Sequence, residues 1–161
     1  VAEIEPLLRV GTTRAERTAA REDAHQAQVR ESFASITQNS PWRAEELEQQ
    51  LVRGEWIFYW SPVIDQMKRE GRLVEALELA LECVDCAERS LRIGPNGDPP
   101  RGWTEKAAVI ARKLKRYDFE VEIIERYFAI VADPSAYEGL THRLGVARRL
   151  AASAVGDTIR P

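Results

Sequence analysis

The sequence predicts an all-α fold of antiparallel helical hairpins, and three observations carry that expectation. From residue 60 to residue 153 apolar residues recur three and four positions apart, the spacing that gathers them on one face of a helix. Turn formers gather between these segments, most densely in Gly94-Pro95-Asn96-Gly97-Asp98-Pro99-Pro100-Arg101-Gly102. No segment alternates apolar and polar residues between turn signals, so no strand is expected.

The chain has 161 residues and 44% hydrophobic content, enough for one domain with its own core. A formal charge of -3 gives a phosphate backbone no general attraction to it. No apolar run reaches the length of a membrane span, and no basic stretch followed by an apolar core opens the chain. Two cysteines fit a reducing compartment better than a disulfide framework. The expectation is a cytoplasmic protein with no membrane partner.

In chain order, Ile4, Leu7, Leu8 and Val10 form a short apolar arm, broken by Pro6 and closed by Gly11. Thr13 and Glu16 then have the form of a capping box, so a long helix to about Ile36 is expected. Its inward positions are mostly alanines, which bury little area, and it should be the most exposed helix. Ser40-Pro41, Ser61-Pro62 and Asp133-Pro134 each join a capping oxygen to a proline, marking three helix starts. The first should run from Pro41 to Arg53, with Trp42, Leu47 and Leu51 inward and Gly54 as its stop. The second carries Val63, Ile64 and Met67 and stops at Gly71.

The helix from Arg72 to Ile93 is the best patterned, with Leu73, Leu77, Ala80, Val84, Ala87 and Leu91 inward. After the proline-rich loop, the stretch from Trp103 to Val131 reads as two helices meeting at Lys115-Arg116-Tyr117. A last helix runs from Pro134 to about Ser153, with Tyr137, Leu140, Leu144, Ala147 and Leu150 inward. The chain thus divides into an arm and alanine-rich helix over residues 1–39, a helical-repeat-like domain over 40–153, and a fraying tail over 154–161.

Two segments share a plan, residues 60–90 and 104–130. Their corners are Glu70-Gly71-Arg72-Leu73-Val74-Glu75-Ala76 and Leu114-Lys115-Arg116-Tyr117-Asp118-Phe119-Glu120. With Gly71, Leu73 and Ala76 in the first, and Tyr117, Ala107, Ala108 and Ala111 in the second, this plan resembles the tetratricopeptide repeat. The second corner departs from it at Lys115, in place of the glycine, and at Glu120, in place of the small residue. The resemblance implies an array of hairpins, with the Pro41 and Pro134 helices capping its ends. It also implies a groove, toward which late first-helix positions turn: Lys68 and Arg69 in one unit, Arg112 and Lys113 in the other.

Such a groove would hold an acidic peptide or helix of a partner by charge-assisted hydrogen bonds. Two other readings stand beside it. The same cations, with Arg14, Arg17 and Arg21, could meet a nucleic-acid backbone, or the alanine-rich helix could pack against a further copy in an assembly. Arg112, Lys113, Lys115 and Arg116 also suit a helix C-terminus on electrostatic grounds alone.

Cys83 and Cys86 form a C-x-x-C, yet only His25 and His142 exist to complete a metal shell, so packed thiols are expected and no metal or other cofactor. Trp56, Phe58, Tyr59 and Trp60 should be core rather than a base-stacking platform, and Glu120, Glu122 and Glu125 a solvated face. No nucleophile elbow, zincin motif or phosphate loop is present, so the expected role is non-catalytic.

Overall fold

The computed structural model describes residues 13–159 and is all-α apart from one very short hairpin. The apolar arm of Ile4, Leu7, Leu8 and Val10 lies outside the described residues. Helix α1 spans Arg14–Asn39 and starts as its sequence directs: Thr13 accepts from the Glu16 amide, and the Glu16 carboxylate takes the Thr13 amide at 2.6 Å. Val29 is its one buried residue, as its alanine-rich face implies. Phe33 holds it against Trp56, with ring centroids 5.8 Å apart, and the His25 Nε2 proton goes to the Phe58 carbonyl at 3.0 Å.

The helix expected over Pro41 to Arg53 is broken up. A 3-10 turn at Pro41–Arg43 leads into the short α2, Ala44–Glu48, and then the chain reverses through β1, Leu51–Val52, and β2, Glu55–Trp56. Arg53 and Gly54 make the turn with φ of 50° and 81°, the paired left-handed conformation that matches hairpin twist, so Gly54 is a turn residue and not a helix stop. Leu47 is buried, but Trp42 is 79% exposed and faces outward, contrary to expectation. Neither Ser40 nor Ser61 caps a helix through its side chain; Ser61 falls inside α3, Trp60–Arg69. Asp133 alone of the three does so, taking the Ser135 amide at the 3-10 turn Pro134–Ala136.

From α3 onward each helix packs on the next: α4, Leu73–Ser90; α5, Arg101–Lys113; α6, Tyr117–Ile130; and α7, Glu138–Ile159. α7 continues through residues 154–159, where fraying was expected. Ile57, Ile64, Leu79, Ile110, Ile124 and Leu140 fill the core between them, each 1% exposed or less. Each such side chain contributes about 1.5–3 kcal/mol by leaving water.

The two corners have the same backbone. After α3, the Arg72 amide donates to the Met67 carbonyl at 2.9 Å and Gly71 to Lys68, with Gly71 at φ 76°. After α5, Arg116 donates to Ala111 at 2.9 Å and Lys115 to Arg112, with Lys115 at φ 57°. Both are Schellman closures, one built on glycine and one on lysine.

Polar links join helices two apart and reveal two layers. Glu22 of α1 pairs with Arg69 of α3, Asp65 of α3 with Lys106 of α5 at 2.8 Å, and Arg112 of α5 donates to the Arg143 carbonyl of α7 at 3.3 Å. On the other side Arg126 of α6 grips Asp85 at 2.5 Å and Glu88 at 2.6 Å, both on α4. One layer is therefore α3, α5 and α7, extended by α1; the other is α4 and α6.

Candidate functional site

The four cations that the sequence singles out sit in the last turns of α3 and α5. Two chain reversals make these helices parallel, so both turns lie toward one end of their layer. Their engagement differs sharply. Lys68 is half-buried and 3.4 Å from Asp65, which it shares with Lys106. Arg69 binds Glu22 and the Gln66 amide oxygen, so it seats α1. Arg112 is committed to Glu120, with Nε 2.8 Å from Oε2. Lys113 is exposed and has no ion-pair partner among the described residues. Lys115 beside it is likewise exposed, and Arg116 lies over the Phe119 ring at 4.4 Å.

Glu120 corrects the expectation of a solvated acidic face. It is fully buried, and its other oxygen takes Arg143 of α7 at 2.9 Å. One carboxylate thus ties α5, α6 and α7 through two guanidinium groups, which satisfies a charge that burial would otherwise penalise heavily. Glu122 and Glu125 are exposed as expected, Glu125 pairing with Arg148 at 2.8 Å. A hint was available in the sequence, since Glu120 replaces the small residue of the first corner.

Asp98 gave no such hint. Inside the proline-rich loop it is 4% exposed, accepting the Ala132 amide at 3.0 Å and the Tyr137 hydroxyl at 2.6 Å. Tyr127 donates to the Pro99 carbonyl at 2.8 Å beside it. Burial pushes both phenols up, so they stay protonated donors. The loop is latched onto the connection between α6 and α7.

Trp56, Phe58 and Trp60 pack on the core, and the two indole N–H groups are taken by Gln50 and by the Val52 carbonyl. Tyr59 lies under Arg30, with the guanidinium 5.0 Å from the ring centroid. Cys83 and Cys86 are buried in α4; burial pushes the Cys83 thiol up to about 12 and raises Cys86 as well. Among the described residues no three His, Cys, Asp or Glu side chains gather as a metal shell. No described helix is long and apolar enough to cross a membrane.

Charge is sorted by layer. α4 and α6 hold nine carboxylates against two arginines, whereas α3, α5 and α7 hold nine cations against four carboxylates. Clefts open on both sides. One, of about 830 Å³, lies between the first half of α1 and the end of α3, where Arg14, Ala15, Ala19 and Arg69 line it. A groove of about 310 Å³ runs between α4 and α6. Compared with known proteins, the chain matches no family model, no curated sequence and no solved structure.

Proposed function

We propose that this chain is a non-catalytic interaction module, a tetratricopeptide-like hairpin array working in the cytoplasm that binds an acidic peptide or helix of a partner on its α3–α5–α7 layer. The observation that carries the reading is the excess of cations in that layer, nine against four carboxylates. The repeat likeness is supported by two corners with the same hydrogen bonds, closed at Gly71 and at Lys115.

Pairing within the fold divides the labour among the cations. Arg69 and Arg112 hold the structure, through Glu22 and Glu120, while Lys113 offers its whole charge and Lys68 part of it. A test must therefore spare the arginines. The double variant K68E/K113E is expected to keep its helical circular dichroism and to bind a fluorescein-labelled Glu-rich amphipathic peptide at least tenfold more weakly at low salt. Equal binding by the double variant, or none by the unaltered protein, removes the proposal. Binding of labelled duplex DNA in preference to the peptide would replace it with a nucleic-acid role, recognisable by a steep loss with salt.

A further inference from the structure

We propose that the groove between α4 and α6 is a second docking site, on the opposite layer, for a basic segment of a partner protein that inserts one large apolar side chain. The groove's floor is apolar: Leu81 and Val84 come from α4, Phe119 and Ile123 from α6. Leu81 and Phe119 are only half-buried there, although both lie beside the core, and Arg116 covers one face of the Phe119 ring at 4.4 Å. Beside them the Arg126 ion pairs with Asp85 and Glu88 bridge the two helices. At about 310 Å³ the space is at the small end of ligand-sized clefts, about 300–1,000 Å³, and suits one side chain better than a whole ligand.

The rim decides which segment can bring that side chain. Glu122 lines the groove without an ion pair among the described residues, and Glu78 stands exposed on the face of α4 that also carries Leu81 and Asp85. Of the nine carboxylates on these helices, Glu120 is buried against Arg112 and Arg143 and five others are ion-paired, which leaves Glu78, Asp118 and Glu122, without an ion pair among the described residues, to repel an acidic segment and steer in a basic one. The apolar floor then supplies what charge alone lacks, a fixed position along the helices. This inference uses the α4–α6 layer only and stands whether or not the opposite layer binds acidic partners.

The test uses the full chain and a labelled Lys-rich helical peptide with a single leucine or tryptophan. Binding at low salt is expected to shift the methyl resonances of Leu81, Val84 and Ile123 and to weaken at least tenfold in E78K/E122K. Neither substitution breaks a hydrogen-bonded ion pair among the described residues, but Glu78 acts on Arg53 through its charge, so circular dichroism checks the fold. Replacing the peptide's apolar residue by alanine should cost a further tenfold. Absence of binding, unaltered affinity in E78K/E122K, or indifference to the alanine replacement overturns the proposal. So does self-association of the unaltered protein in sedimentation that E78K/E122K abolishes, since the groove's occupant would then be a second copy.

Discussion

At the scale of single residues, Glu120 does the work of a clamp. Its carboxylate is fully buried, yet Arg112 and Arg143 are each partly exposed, so the pair of guanidinium groups keeps contact with water while neutralising it. Glu120→Ala leaves two cations facing each other and is expected to cost about 3 kcal/mol, the lower end for breaking a buried pair because both arginines can be rehydrated. The check is a lower urea midpoint at unchanged slope. Lys115 tells the opposite story. A side chain at φ 57° carries a steric penalty that glycine lacks, so Lys115→Gly should raise stability by about 1 kcal/mol, read from the same unfolding curve. Both residues stood out in the sequence as departures from the first corner, but their fates were not equally legible. The lysine's backbone follows from its corner alone, whereas Glu120's burial depends on arginines eight and 23 positions away.

At the scale of elements, periodicity located α3 to α7 because each presents an apolar stripe to the next. The same method failed between Pro41 and Trp56. Strands of two residues carry no alternation to read, and Arg53-Gly54 has the form of a helix stop as readily as of a hairpin turn. Trp42 was expected inward, yet it is largely exposed. The cysteines of α4 follow their stripe inward. With Cys83 pushed up to about 12 and Cys86 also raised by burial, neither forms thiolate near neutral pH. A disulfide reagent at pH 8 should therefore leave the native protein unmodified over minutes and titrate both thiols at once in denaturant. Rapid reaction of either thiol in the native state would contradict the packing described for α4.

At the scale of the whole molecule, the chain's charges were countable from the sequence, but their sorting was not. Only the corners and the links between alternate helices place α4 and α6 together on one side and α3, α5 and α7 on the other. The formal charge of -3 averages over that arrangement and conceals it. A body charged this way experiences a torque wherever the surrounding potential changes steeply. Its α5 side is expected to turn toward a negatively charged boundary and its α4 side toward a positively charged one.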